Sequence, residues 1–245
     1  MNLNISQKMI GELKNSRFLG KFIQVDFSPL KTCTFNCCYC HLGKTTDMTM
    51  ERREFYPPKL IAELVEKWIK DNEAPDFVFL TGSGEPSLYS KFGKLVSILK
   101  RSIPDIQLTA YSNASLLANP DVRKDFSQLD LMQFNLNAIN PDEFRKINRH
   151  HPDVRVKDVL NGLKQFKTEV NIPIWIHSFF GNGINDSVRS IEELKEFISD
   201  YNPDQYFIYK FEIKDRVQPL TDEKQKLIQS QMSTLECKCN FIEFN

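Results

Sequence analysis

Cys33, Cys37 and Cys40 lie in the run KTCTFNCCYCHLG, a C-x-x-x-C-x-x-C spacing that lets one tight loop turn three thiolates to one face. Thiolates are soft ligands, and three on one loop suit three irons of a [4Fe–4S] cluster, with the fourth iron left open to a small molecule. Zinc is the competing metal. Structural zinc sites close with four ligands, commonly from two separated C-x-x-C pairs, and no second pair of that spacing occurs here. His41 or Cys38 would have to complete a zinc site, and a third reading leaves the thiols buried or redox-active without metal. Cys38, wedged between two of the three, reads as packing. Cys237 and Cys239 in ECKCN are too few for another cluster and read as an ordinary pair on a final strand.

About forty residues further on, LTGSGEP (80–86) follows a strand-like run, and its small residues permit a close backbone turn. Amides and a histidine punctuate the later apolar runs: Asn113 in YSNASLL, Asn135 and Asn137 in FNLNA, and His177 in IPIWIHSFF. An amide both donates and accepts, which suits hydroxyls or a carboxylate. Each also has a plain structural reading, as a strand-end amide or a satisfied core histidine. GNGIND (181–186) reads as a glycine turn into a helix, with Asp186 as its cap.

Taken in order, VDFSPLKTC, the Cys37-Cys38-Tyr39-Cys40 run, TGSGEPSLYS, YSNASLL, FRKINRHHP and GNGIND resemble the radical S-adenosylmethionine (radical SAM) superfamily. Within it the chain is similar to the stand-alone iron–sulfur oxidoreductases, a group that includes the radical SAM domain of tRNA 4-demethylwyosine synthase. The resemblance spans roughly residues 16 to 220. It implies a cluster on Cys33, Cys37 and Cys40 whose open iron chelates the methionine part of SAM. One electron into the sulfonium then releases methionine and a 5′-deoxyadenosyl radical, which takes hydrogen from a substrate.

By the same resemblance, Ser83, Gly84 and Glu85 stand at the family's GGE motif, with Ser83 replacing a glycine, and meet the ammonium of SAM. Tyr39 and His41, flanking the last cysteine, would contact adenine. Asn113 stands where the family often has TNG, and Asn137 where it often has serine–leucine–aspartate, so that Asn113, Asn135 and Asn137 would face SAM. His177 would meet the methionine carboxylate or the substrate, and Gly183 would offer backbone to adenine. An external electron donor, flavodoxin or ferredoxin, is expected, because nothing in the chain resembles a flavin-binding domain. RNA or a nucleoside ranks first as substrate, then a peptide or a partner activated through a glycyl radical. Wyosine-forming relatives carry extra cysteines upstream, and none precedes Cys33 here. The alternative outside enzymology is a zinc or iron–sulfur binding protein using the same cysteines.

The elements that must position these residues alternate. Apolar, β-branched and aromatic runs at 22–27, 77–82, 106–112, 131–137, 172–180 and 205–211 predict six strands. Helical stripes separate them, at Leu60, Ile61, Leu64, Val65, Trp68 and Ile69, at Phe92, Leu95, Val96 and Leu99, at Val156 to Phe166, and at Val188 to Ile198. Pro57 and Pro58 sit where the first of these helices can begin. Strand–helix alternation implies parallel pairing through right-handed crossovers, so the expected fold is α/β, a partial (β/α)₆ TIM-like barrel. The cysteines fall in the insertion 28–56 after the first strand, at the sheet edge where parallel folds place active sites. Residues 1–220 are expected to form the barrel, and 221–245 a helix and short strand packed on it or across its mouth.

At 245 residues, 41% hydrophobic and 26% charged, the composition is that of a globular domain, without a membrane-length apolar run. The first residues lack the pattern of a secretory signal, and six cysteines grouped this way favour a reducing compartment, so the cytoplasm is the expectation. Lysine plus arginine equals aspartate plus glutamate at 32 each, which leaves no general field to gather nucleic acid. The densest local basic group is Arg145, Lys146, Arg149, His150 and His151, read as a solvated helix end.

Overall fold

The computed structural model describes residues 9–214 and 217–242. Its strands are β1 (Lys14–Ser16), β2 (Gly20–Asp26), β3 (Thr32–Cys33), β4 (Asp47–Met48), β5 (Phe77–Thr81), β6 (Gln107–Ser112), β7 (Leu131–Asn135), β8 (Ile174–Phe180), β9 (Gln205–Lys210) and β10 (Lys238–Ile242). The helices are α1 (Pro58–Asp71), α2 (Phe92–Ser102), α3 (Pro120–Phe126), α4 (Pro141–Asn148), α5 (Val156–Glu169), α6 (Val188–Tyr201) and α7 (Asp222–Met232). One eight-stranded sheet runs in the order β1-β2-β5-β6-β7-β8-β9-β10, and every neighbouring pair is parallel except β1–β2. The expected six βα units are all present, curled into a partial TIM-like barrel.

Alternation along each strand divides the sheet into two faces. Ile23, Val25, Val78, Leu80, Leu108, Ala110, Met132, Phe134, Ile174 and Ile176 share one buried cluster with helix residues Val65, Leu95, Leu99, Phe126, Phe166 and Ile191. Each of these side chains larger than alanine contributes about 1.5–3 kcal/mol when fully buried. Of the intervening residues, Leu131, Trp175 and Phe207 form a second, helix-free cluster on the opposite, inner face, joined by Leu19 from the turn between β1 and β2. Because the helices occupy one face, the other is left to line a barrel interior. That lining carries polar groups as well, as where Gln133 Nε2 donates to Thr109 Oγ1 at 3.0 Å.

Two of the helices, α3 and α4, escape the periodicity reading because their apolar stripes are so short, Val122 with Phe126 and Phe144 with Ile147. The usable signal is an Asn-Pro pair at each start: Asn119 and Asn140 accept from the backbone N–H of Asp121 and Asp142, at 2.9 and 3.0 Å. At α6 the cap is Ser187, which accepts from Ser190, while the expected cap Asp186 instead accepts from Gly183 within the turn. The tail does not cross the mouth: β10 pairs in parallel beside β9, from Lys238↔Gln205 to Ile242↔Tyr209. Its predicted last residues, 243–245, lie outside the described residues.

Candidate active site

The parallel strands end together at one rim, and the segment after β2 rises there. Its cysteines are fastened from two sides. In the first grip, β3 and β4 pair over Thr32↔Asp47 and Cys33↔Met48. The second comes from the end of α4: Cys38 N–H donates to the Ile147 carbonyl at 2.9 Å, Asn36 N–H to Asn148 at 3.0 Å, and His151 N–H returns to Thr34 at 2.8 Å. Phe35, buried, stands edge-on to Phe144 at 5.6 Å. The FRKINRHHP segment is thus the clamp on the cysteine loop, with Arg149 in the left-handed region (φ 45°) to turn the chain back.

The GSGE turn locks against the same loop. A Cβ on Gly84 would meet the Thr32 carbonyl oxygen at 1.9 Å, so only glycine permits this approach. Glu85 N–H donates to that carbonyl at 3.0 Å, and Lys31 N–H donates to the Ser83 carbonyl at 2.7 Å. The Glu85 carboxylate is buried and accepts from the Ser112 hydroxyl (2.6 Å), Asn113 N–H (2.9 Å) and Ser87 N–H (3.0 Å). It therefore braces the end of β6. Ser83 is tied by its hydroxyl and by its N–H (2.9 Å) to Asp26, at the end of β2.

The asparagines fall into two groups. Asn113 Nδ2 donates to Thr34 Oγ1 at 2.8 Å and lies 3.8 Å from Cys33 Sγ, so this amide backs the first cysteine. Asn135 and Asn137 meet at Tyr39: its hydroxyl donates to Asn135 Oδ1 at 2.8 Å and accepts from Asn137 Nδ2 at 2.7 Å. The Tyr39 ring stacks on Phe179 at 4.7 Å and 12°. Asn137 also takes Phe179 N–H at 2.8 Å and approaches Asn148 Oδ1 at 3.3 Å, which joins this floor to the clamp.

His177, paired with Asn135 in the ladder, lies inside the barrel between Phe207 and Tyr209. Its Nδ1 meets the Tyr209 hydroxyl at 3.0 Å, and its Nε2 is buried with no partner. Burial pushes its pKa down to about 3, which leaves the ring neutral and fits a hydrogen-bonding floor residue in place of a salt bridge to a carboxylate. His41 and Gly183 are exposed. The Gly183 carbonyl meets the clamp, accepting from Lys146 Nζ. Cys239 donates to the Met232 carbonyl at 3.2 Å, on the tail.

A family model matches residues 27–198, the span that holds all three clamped cysteines and the GSGE turn, and its description is radical SAM superfamily. The chain belongs to the radical SAM superfamily. Membership places it in a class of enzymes that use SAM and an iron–sulfur cluster. A UPF0026 protein of Methanocaldococcus jannaschii is 32% identical over 79% of this chain and 60% of its own length. One from Helicobacter pylori is 26% identical over 76% of this chain and 61% of its own. The chain therefore spans about 60% of these curated relatives. Among solved structures, TYW1 with a lysine–pyruvate adduct bound matches with TM-score 0.67 at 18% identity, covering 97% of this chain and 80% of that one. Streptococcus suis SuiB bound to S-adenosylmethionine gives 0.66 at 18%, covering 91% and 50%. These two likenesses are likenesses of fold.

The radical SAM donor set fits a polynuclear cluster. The sulfur of Cys37 feels the charges of Cys33 and Cys40, and that of Cys33 the charge of Cys40. Yet among the described residues no three His, Cys, Asp or Glu side chains meet closely enough for one metal ion. Three thiols gathered on one loop are nonetheless the donor chemistry that an iron–sulfur cluster takes. Burial, followed by the charge of Glu85, pushes the Cys33 thiol up to about 12, and burial raises Cys37 as well. A metal bound by these thiols would therefore displace protons.

Donors already face the sulfurs: Lys31 Nζ stands 3.1 Å from Cys40 Sγ, and Phe35 N–H 3.4 Å from Cys33 Sγ. Such contacts stabilise thiolate charge and tune a cluster. Lys31, Asp26, Thr34, Ser112 and Asn148 are site residues that the sequence reading does not single out, although all five lie within its quoted runs. Lys31 sits inside SPLKTC and Asp26 ends a clear strand, but only the fold makes them neighbours of Cys40 and Ser83.

Proposed function

We propose that this chain is a radical SAM enzyme in which Cys33, Cys37 and Cys40 hold a [4Fe–4S] cluster whose open iron takes SAM. The observation that carries this reading is the three-cysteine loop held at the C-terminal rim of a parallel sheet, with Gly84 packed against its backbone at a spacing that admits no side chain. When bound, the cluster and SAM would supply reductive cleavage to methionine and a 5′-deoxyadenosyl radical.

The chain's own residues hold and shield that chemistry. Glu85 positions the turn and the end of β6, with the ammonium left to the backbone around Ser83 and Gly84. Asn113 orients Cys33 through Thr34. Asn135, Asn137 and Tyr39 form a connected polar floor that a ribose hydroxyl or carboxylate joins by replacing one of its internal bonds. Exposed His41 and Gly183 would meet adenine from the rim. His177 closes the floor from below, as a neutral ring.

The substrate class remains RNA or a nucleoside first, and a peptide second. The first rests on the sequence resemblance, and SuiB bound to the precursor peptide SuiA supports the second by fold likeness. The electron donor is an external flavodoxin or ferredoxin.

The test is anaerobic reconstitution with iron and sulfide, reduction, and assay of 5′-deoxyadenosine from SAM. Cys37→Ala should abolish cluster and product together, while Cys237→Ala should leave both close to wild type. One tightly bound zinc with no product would overturn the reading, and loss of the cluster in Cys237→Ala would reassign the tail.

A further inference from the structure

Two thiols lie at the end of the barrel opposite the cysteine loop, since β10 runs parallel to β9 and they stand at its start. Cys237 and Cys239 flank Lys238, the first residue of β10, and residues two apart along a strand face the same way. The ladder fixes which way. Cys239 pairs with Tyr206, and Tyr206 and both cysteines pack against the helix-side core. Each cysteine is only partly buried, and Glu236 and Lys238 beside them are exposed, so a small molecule can reach the pair from solvent.

The two sulfurs already meet in a hydrogen bond. Two residues apart in an extended strand span about 6.6 Å between Cα atoms, the upper end of what a disulfide bridges, so closure asks for side-chain rotation and a small contraction at Lys238. The thiols are also unequal. Cys239 Sγ donates to the Met232 carbonyl, at the end of α7, at 3.2 Å. The hydrogen bond from Cys239, aided by the charge of Lys167 on α5, holds the Cys237 thiol below its ordinary pKa, and the same bond holds Cys239 above it. Burial pushes Cys33, Cys37 and Cys38 up instead. A thiolate beside a retained thiol is the arrangement of an attacking and a resolving cysteine. A metal ion is the weaker occupant, because among the described residues no third His, Cys, Asp or Glu joins the pair.

We propose that Cys237 and Cys239 form a thiol–disulfide exchange site for a low-molecular-weight disulfide, independent of whatever the cysteine loop holds. The Cys237 thiolate attacks one sulfur of the small disulfide, whose S–S bond breaks, leaving a mixed disulfide on Cys237 and one small thiol. The Cys239 thiol then loses its proton and attacks Cys237 Sγ, which releases the second small thiol and closes the Cys237–Cys239 bridge. The protein dithiol is oxidised by two electrons, and the small disulfide is reduced to two thiols that take the two cysteine protons.

The test exposes the whole chain, reduced and free of oxygen, to oxidised glutathione, and reads each thiol by alkylation and peptide mass spectrometry. The tail peptide should lose two hydrogens and resist alkylation, with Cys237 reacting about tenfold or more faster than Cys38 at pH 7. Between pH 8 and 7 its rate should fall by much less than the nearly tenfold drop of an ordinary thiol. Cys239→Ser should stop at the mixed disulfide on Cys237, and Cys237→Ser should slow addition at Cys239 by about tenfold. The wild-type bridge and pH profile decide the matter even if a variant folds poorly. Equal rates at Cys237 and Cys38 would overturn the proposal, as would mixed disulfides on both tail cysteines without a bridge. So would a tail oxidised by a protein disulfide and left untouched by glutathione.

Discussion

Gly84 and His177 set opposite kinds of limit on single residues. At Gly84 the constraint is space: a methyl group would collide with the Thr32 carbonyl, a backbone atom that cannot swing aside. Gly84→Ala should therefore cost about 1–3 kcal/mol, the usual range for overpacking, and should weaken iron retention, as read by urea denaturation and iron content. At His177 the constraint is charge. Its folded pKa of about 3 lies below an unfolded value of about 6.5, so only the unfolded chain takes up the proton between those values, and stability must fall as pH drops through that window. In His177→Phe the loss of stability between pH 6.5 and 5 should shrink by on the order of 2 kcal/mol, measured by urea denaturation at both pH values. An unchanged pH slope would mean that the ring takes up its proton as readily in the fold as in the unfolded chain.

At the scale of elements, the short helix α4 matters more than its length suggests. It is two turns long, yet its last carbonyls hold Asn36 and Cys38, and Phe144 packs on Phe35. Its start depends on Asn140, whose side chain caps the Asp142 N–H. Asn140→Ala should cost about 1 kcal/mol. The loss should be felt at the cysteines, as faster labelling of the metal-free thiols by a disulfide reagent, while Cys237 and Cys239 keep their rate. Acceleration at the tail pair too would mean general loosening. This helix was legible only through its Asn-Pro start, since a stripe of two apolar residues gives periodicity nothing to count. The six long strands and four long helices were legible because burial on one face imposes a period of about 2 or 3.6 over many residues.

For the whole molecule, β10 extends the parallel sheet by one strand beyond the six units and covers the edge of β9. A chain ending after residue 236 would expose the backbone of Gln205–Lys210 as an unpaired edge, and should melt at lower temperature and aggregate at concentrations where the longer chain does not, by light scattering. The local sequence determined the cysteine spacing, the glycine-bearing turn and the α/β alternation, because ligand spacing, tight turns and amphipathic periods are properties of short stretches of chain. Only the tertiary structure decided that Glu85 braces β6 and that FRKINRHHP clamps the cysteine loop. It also turned Tyr39 inward to join Asn135 and Asn137, and set Lys31 beside Cys40. Those partners stand between 9 and 117 positions apart in the chain. Such distances carry no local signal; closing the barrel brings these groups together, because buried donors and acceptors must find one another once water is excluded.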